Sequence, residues 1–138
     1  MNLKVGIRVG AAVCDAIVAH ARETAPAECC GLFLGRGEEI VEAVRARNVA
    51  DDRTIRFLID PADHFSARRA ARARGLEVTG FYHSHPGTAA EPSARDLAEF
   101  SYAGHLYGIV SLRVEPAEVR LFRFDAGNFH RVSFVTVA

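Results

Sequence analysis

Hydrophobic residues alternate with polar or small ones at the start of the chain, which predicts a β-strand over residues 3–9. The alternating apolar positions are Leu3, Val5, Ile7 and Val9. Over residues 11–23 the apolar positions instead fall near helical spacing, at Val13, Ile17 and Ala21. This change of period predicts a strand that is followed directly by a helix.

The rest of the chain alternates short apolar runs with two further helical segments. Asp60 followed by Pro61 is an N-cap with proline at the first helical position, which predicts a helix through Ala73 that stops at Gly75. A third helix is predicted over 93–103. Strands are expected at residues 32–35, 40–47, 54–59, 77–84, 106–114, 119–124 and 129–137. Helices interleaved with strands, and strands at the end, predict a mixed sheet with helices packed on it.

Length and net charge indicate the number of domains and the classes of partner to expect. The 138 residues correspond to one domain, 1–138, since domains cluster near about 100–150 residues. Seventeen basic and 17 acidic residues give a formal net charge of zero, so charge offers no argument for nucleic acid or an acidic membrane as a partner. No apolar run approaches the roughly 18 residues of a membrane-spanning helix. Because Asp15 interrupts the Ala/Val-rich stretch near the start, we expect no signal peptide and a cytoplasmic protein.

The three cysteines do not form the pattern of a disulfide framework. Their number is odd, and Cys29 and Cys30 are adjacent, which is a poor geometry for a bond between them. No C-x-x-C pair is present that would indicate a zinc ribbon or a redox site. We therefore expect Cys14, Cys29 and Cys30 to be small buried residues in a reducing cytosol.

Arginines cluster on the predicted second helix. A solvated helix face would explain them, and so would a docking surface for an acidic partner. The sequence leaves both interpretations open. The residues are Arg68, Arg69, Arg72 and Arg74.

The segment around residues 83–96 contains the candidate chemistry. His83 and His85 are two apart on a predicted strand, so their side chains project to the same side. Pro86 ends the strand, and a short loop returns the chain to Ser93 and Asp96 at the start of a helix. Two imidazoles, one carboxylate and a water form the ligand pattern of catalytic zinc. The same Ser93-x-x-Asp96 spacing is also typical of a capping box that only begins the helix.

These residues resemble the motif of the JAMM (MPN-plus) family of zinc metallopeptidases. The family motif has an upstream glutamate, then H-[ST]-H-P, then a serine separated from the second histidine by seven residues, and an aspartate three positions after that serine. His83-Ser84-His85-Pro86, Ser93 and Asp96 match that spacing. Glu28, in Glu28-Cys29-Cys30-Gly31, resembles the upstream glutamate before a strand. The resemblance implies a cytidine-deaminase-like α/β fold, with three α/β/α layers and a mixed sheet.

The resemblance also implies roles for these residues. One zinc ion per chain would be bound by His83, His85 and Asp96, and it would lower the pKa of its water to about 7. Glu28 would be the general base and acid, a role for which the residues alone leave Glu23 and Glu91 open as well. Ser93 would donate a hydrogen bond to the tetrahedral oxyanion.

The small bacterial members of the family suggest the substrate. They imply a peptidase or isopeptidase that cuts an amide bond at the C-terminal Gly-Gly tail of a ubiquitin-like sulfur-carrier protein. An extended tail of this kind could pair with a sheet edge beside the metal. Whether the protein is a monomer or a homodimer is left open.

Two other classes of function compete with the peptidase. A non-catalytic MPN-type scaffold would only bind partners, and it would not need the complete set of ligands. A zinc deaminase would need H-x-E together with P-C-x-x-C. Because neither deaminase motif is present, the scaffold is the stronger alternative.

Overall fold

The computed structural model describes residues 6–99 and 104–138. Within these ranges, three helices and eight strands follow one another along the chain. They are β1 (Ile7–Gly10), α1 (Ala11–Thr24), β2 (Cys30–Arg36), β3 (Glu39–Ala46), α2 (Pro61–Ala73), β4 (Glu77–His85), α3 (Ala94–Glu99), β5 (Leu106–Ser111), β6 (Glu118–Asp125), β7 (Asn128–Val132) and β8 (Phe134–Val137).

The described strands form one mixed sheet in the order β7-β6-β5-β4-β2-β3-β1-β8. The pairs β1–β3, β1–β8 and β4–β5 are parallel, and the other neighbours are antiparallel. β4 lies in the middle, where it pairs with β2 on one side and β5 on the other. Both sides of β4 are therefore paired beside His83, and the expectation that a substrate tail pairs with a sheet edge near the metal stays a prediction.

Helices α1 and α2 cover opposite faces of the sheet. Successive side chains of β2 show this, because they pack alternately against one helix and the other. Phe33 packs in the same apolar cluster as Val13 and Ile17 of α1. Its neighbours Leu32 and Leu34 pack in a second cluster with α2. Because successive strand residues face opposite sides, the sheet separates two cores, and the predicted three-layer α/β/α architecture is confirmed.

The second helix follows its sequence signals closely. Helix α2 spans Pro61–Ala73, and the carboxylate of Asp60 accepts a hydrogen bond from the Ala62 N–H as its N-cap. Gly75 follows with a φ of +69°, a left-handed conformation that glycine adopts without strain. The third helix is described only as far as Glu99, so the predicted part at 100–103 lies outside the described residues.

Two strand predictions are wrong. Residues 54 and 55 belong to a turn, residues 56–58 are irregular, and Ile59 makes an isolated bridge to Asn48. Side chains hold this loop: Asp52 accepts hydrogen bonds from Thr54, and Asn48 bonds the main chain around residue 57. The predicted strand at 129–137 is two strands, β7 and β8, which lie at opposite edges of the sheet with only Ser133 between them.

The buried side chain of His20 makes the stability of the fold depend on pH. It is 8% exposed on α1, and its Nδ1 lies 2.8 Å from the Tyr82 hydroxyl. Burial lowers the pKa of His20 to about 4, helped by the charge of Arg45 and opposed by that of Glu23. The folded protein therefore contains a neutral imidazole where the unfolded chain has one that protonates near its ordinary pKa of about 6.5.

We expect His20 to destabilise the fold as the pH drops below about 6.5 and down to about 4. In that window the unfolded state binds more protons, so the free energy of unfolding falls with pH, by at most about 1.4 kcal/mol per unit for this group. Urea unfolding of the wild type and of His20→Gln at pH 7 and pH 5 measures this. The wild type should lose more stability than the variant, and equal losses would contradict the assignment.

Candidate metal centre

The two histidines of the motif lie at the end of the central strand β4. They are two residues apart, so both side chains project from the same face of the sheet. Their Nε2 atoms lie 3.1 Å apart, and the imidazoles are only 1% and 5% exposed, respectively, for His83 and His85. Pro86 follows at once, so this rigid strand end is also the point where the chain leaves the sheet.

The loop after β4 brings Asp96 back to the histidines. Oδ2 of Asp96 lies 3.2 Å from Nε2 of His83 and 3.2 Å from Nε2 of His85. The same oxygen accepts a hydrogen bond of 2.8 Å from the Ser93 N–H, and the Asp96 N–H donates to Ser93 Oγ at 3.1 Å. A reciprocal capping box and a carboxylate that faces both imidazoles therefore coexist in one arrangement.

The spacing of these three atoms fits a tetrahedral zinc ion. Ligand atoms about 2.0–2.2 Å from zinc lie about 3.3 Å from one another in a tetrahedron. The three measured distances are 3.1, 3.2 and 3.2 Å. All three side chains are buried, and among the described residues they are the group of three whose donor atoms converge in this way. Two nitrogens and one oxygen leave one tetrahedral position for water, as in catalytic sites.

Charge in the cluster favours an ionised carboxylate between the imidazoles. Although burial opposes ionisation, the hydrogen bonds from His83 and His85, the charge of His83 and the Ser93 N–H hold the pKa of Asp96 far below its ordinary value. Burial also lowers the pKa of His83. The Nδ1 of His85 lies 2.8 Å from the Ala89 carbonyl, to which it donates when protonated there. That bond leaves Nε2 with the lone pair that a metal needs.

The structure separates Glu28 from the other two candidate glutamates. β2 and β4 pair with Cys30 opposite His83, and the Ser84 N–H donates to the Cys29 carbonyl at 3.1 Å. This register continues to place Glu28 beside His85. Glu28 is 7% exposed and lines the same cleft as His85, and its charge acts to raise the pKa of His85.

The other two carboxylates lie in surface ion pairs. Glu23 contacts Arg45, and Glu91 contacts Arg120. Each of the two is well exposed, with side-chain exposures of 62% and 68%. Of the three candidate glutamates, Glu28 is therefore the one that the pairing of β2 with β4 places beside the histidines.

A family model described as prokaryotic homologs of the JAB domain matches residues 10–125. The chain belongs to this family. A desampylase of Haloferax volcanii is 37% identical over 103 residues, which cover 70% of this chain and 74% of the relative. A CysO-cysteine peptidase of Mycobacterium tuberculosis is 30% identical over 116 residues, covering 82% of this chain and 79% of the relative.

A solved JAB1/MPN domain protein from Archaeoglobus fulgidus has the same fold. It superposes with a TM-score of 0.64 at 20% identity, covering 96% of this chain and 100% of the other. The resemblance drawn from the histidine motif is thus confirmed at the level of family and fold. The relatives from Haloferax volcanii and Mycobacterium tuberculosis are both named as enzymes, a desampylase and a peptidase.

The JAB-family centre opens into a cleft with a volume of about 810 Å³. Ser93 is exposed at its rim, and although its Oγ accepts a bond from the Asp96 N–H, a hydroxyl retains a hydrogen of its own to donate. The residues that line the cleft are Pro26, Glu28, Thr54, Ile55, His85, Pro86, Gly87, Thr88, Ser93, Ala94 and Arg95.

The cysteines of this JAB-family chain do not belong to the centre. Cys29 and Cys30 are buried on and beside β2, and burial raises their pKa values to about 11 and about 12. Thiols of such high pKa are weak nucleophiles and weak metal ligands at neutral pH. The expectation that Cys29 and Cys30 are buried free thiols is confirmed, while Cys14 is half-buried and also free.

Two residues of the loop between β3 and α2 contact the centre although no motif in the sequence indicates them. The ring of Phe57 stacks on His83, with centroids 4.3 Å apart and an angle of 19° between the planes. Asn48 donates a hydrogen bond of 3.0 Å to the carbonyl of Glu28. Neither residue matches a ligand pattern, and the wrong strand prediction at 54–59 hid the inward position of Phe57.

The basic helix face remains open between its two interpretations. Arg74 pairs with Glu42, Arg68 donates to His64, and Arg69 lies over the ring of Phe65. These contacts occur on an exposed surface and would accompany either a solvated face or a docking face. Among the helices in the described part of the chain, none combines the length and apolar character needed to cross a membrane.

Proposed function

We propose that this protein is a zinc-dependent peptidase that hydrolyses an amide bond at the C-terminal Gly-Gly tail of a ubiquitin-like sulfur-carrier protein. Residues 1–138 would act as one domain in the cytoplasm. The observation that supports this most strongly is the convergence of His83, His85 and Asp96 in a buried cluster with Glu28 in the same cleft. The names of the relatives, a desampylase and a CysO-cysteine peptidase, support the class of substrate.

The donor set fits one zinc ion per chain, held by Nε2 of His83, Nε2 of His85 and Oδ2 of Asp96. When bound, zinc lowers the pKa of a water ligand from about 15.7 to about 7 and polarises a carbonyl group. The Ala89 carbonyl and the Ser93 N–H fix the orientation of His85 and Asp96 from outside the cluster. These outer contacts hold the ligands in place before any substrate arrives.

Glu28 would transfer the proton, and Ser93 would stabilise the negative charge that develops on the carbonyl oxygen. The buried carboxylate of Glu28 would accept a proton from the attacking water and pass it to the leaving amine, so that the amine departs neutral. Ser93, at the rim of the cleft, would donate its hydroxyl hydrogen to the carbonyl oxygen as negative charge develops there. The two residues face the same cleft, so both can act on one scissile bond.

Ser93→Ala should reduce kcat by about 10²–10³-fold, because a donor to the oxyanion is lost. The Ser93 N–H to Asp96 bond involves the main chain, so zinc content should remain that of the wild type. Steady-state kinetics and metal analysis of the purified variant measure both effects. Ser66→Ala, which removes an exposed hydroxyl from α2 outside the cleft, is the control. A kcat within threefold of the wild type would remove Ser93 from the mechanism.

Mass spectrometry tests the proposed reaction directly. The zinc-loaded protein is incubated with sulfur-carrier proteins that end in Gly-Gly followed by a C-terminal extension or a single cysteine. We expect a product that ends at the second glycine, and no product after zinc is removed by a chelator. Stable binding of the carrier with no cleavage by the zinc-loaded protein would instead favour the non-catalytic scaffold.

A further inference from the structure

The loop between β3 and α2 reaches the metal centre through a ring that is not a ligand. Phe57 is 7% exposed and lies nearly parallel to the imidazole of His83, with ring centroids 4.3 Å apart. At its Nε2 edge, His83 meets the ring of His85, with a centroid distance of 4.9 Å and Nε2 atoms 3.1 Å apart. The flat face of Phe57 therefore covers one face of the His83 imidazole, and rotation of the imidazole about its side-chain bonds would break this stacked contact.

Asn48 fixes the main chain on both sides of Phe57. Its Nδ2 donates to the carbonyl of Arg56 at 3.1 Å, and its Oδ1 accepts from the N–H of Leu58 at 3.0 Å. These two bonds bracket residue 57. The Val49 N–H also donates to the Leu58 carbonyl at 2.8 Å, which ties the two arms of the loop together.

The same amide holds the main chain of Glu28. Nδ2 of Asn48 donates to the Glu28 carbonyl at 3.0 Å, while the Glu28 N–H donates to the Arg53 carbonyl at 2.7 Å. With the bond from the Ala50 N–H to Oδ1, the Asn48 amide makes four hydrogen bonds, which is its full capacity of two donors and two acceptors. Two carbonyl partners and two N–H partners also leave only one orientation of the amide that satisfies them all.

We propose that Asn48 and Phe57 are positioning residues of the metal centre: the Phe57 ring sets the His83 imidazole, and Asn48 fixes both Phe57 and Glu28. Neither residue is among those that line the cleft. The proposal rests on the proposed function for the role of Glu28, but its effect on metal binding does not require a reaction. One side chain thus links the general base to a ligand that is far from it in sequence.

Phe57→Leu tests the stacked ring. Leucine fills much of the space but offers no flat face, so the imidazole of His83 becomes free to turn. We expect the dissociation constant for zinc to rise by about 10–100-fold, the usual effect of losing an outer contact to a ligand. Cobalt substituted for zinc should show shifted visible bands, since these report ligand geometry. Phe57→Met also lacks the ring and replaces the leucine variant if that variant does not fold.

Phe124→Leu is the matched control. Phe124 is 9% exposed and packs edge-on against Phe129 away from the metal ligands, so its loss weakens the core to a similar degree. It should leave zinc affinity and the cobalt spectrum as in the wild type. If the Phe57 variants bind zinc within twofold of this control and show the same spectrum, the role of Phe57 is refuted.

Asn48→Ala tests both roles proposed for Asn48, the positioning of Glu28 and the positioning of Phe57. Through Glu28 it should lower kcat at least tenfold with KM within twofold, and through Phe57 it should weaken zinc binding. If Asn48 acts on the metal through the ring, the double variant Asn48→Ala/Phe57→Leu should bind zinc no more weakly than Phe57→Leu alone. Losses of zinc affinity that add in the double variant would overturn this link.

The metal readouts also separate this proposal from the proposed function. Normal hydrolysis with unchanged zinc affinity in Phe57→Leu would refute the positioning role and leave the peptidase intact. A wild type that binds zinc but cleaves nothing, with weakened zinc binding in Phe57→Leu, would refute the peptidase and retain the positioning of His83.

Discussion

Glu28→Gln should remove nearly all turnover while zinc remains bound. Glutamine has the shape of the buried glutamate but cannot accept a proton, so the water and the leaving amine both lose their proton carrier. We expect kcat to fall by about 10²–10⁴-fold. Glu28 is not among the three converging ligands, so metal content should be unchanged. Product release measured by mass spectrometry and zinc measured by elemental analysis test the two halves of this expectation.

Glu23→Gln is the control for this variant. Glu23 lies five residues earlier, on the surface, in an ion pair with Arg45. Exposed pairs of this kind contribute little to stability, so the control should retain the wild-type kcat. Activity of Glu28→Gln within tenfold of the wild type, with zinc bound, would show that another group carries the proton.

Asp96→Asn should release zinc. The amide oxygen can still accept the Ser93 N–H, so the start of α3 keeps its cap, but the negative charge between the two imidazoles is lost. Loss of a hydrogen bond to a metal ligand typically weakens metal binding by about 10–100-fold. We expect the loss of a ligand's charge to weaken zinc binding by more than this. Elemental analysis after dialysis, with kcat measured in parallel, would show both metal and activity lost.

Asp60→Asn provides a matched comparison for Asp96→Asn. Asp60 also caps a helix, by accepting from the Ala62 N–H, but it belongs to α2 and not to the metal cluster. This variant should retain stoichiometric zinc. Full zinc occupancy in Asp96→Asn would show that the carboxylate is not a ligand, whatever its distance from the histidines.

The sequence predicted those features that local physics determines. Helix α2 begins and ends where Asp60, Pro61 and Gly75 predict, because capping and backbone restriction act within one turn. The shared face of His83 and His85 follows from strand alternation alone. The arrival of Asp96 beside them required only a short loop, and the motif spacing indicated it.

Other features depend on contacts between distant segments. Glu28 is distinguished from Glu23 and Glu91 by the pairing of β2 with β4, which composition and spacing do not encode. Residues 54–59 are suited to a strand, yet the four hydrogen bonds of Asn48 and the packing of Phe57 on His83 hold this segment in a turn and irregular chain. The split of 129–137 into β7 and β8 likewise depends on pairing with opposite edges of the sheet.

Anomalous diffraction at the zinc edge, from crystals of the protein with one equivalent of zinc, tests the central claim most directly. We expect one peak within about 2.0–2.2 Å of His83 Nε2, His85 Nε2 and Asp96 Oδ2, with the Glu28 carboxylate directed into the same cleft. A peak on the cysteines, or these three side chains turned away from one another with Glu28 in bulk solvent, would contradict it.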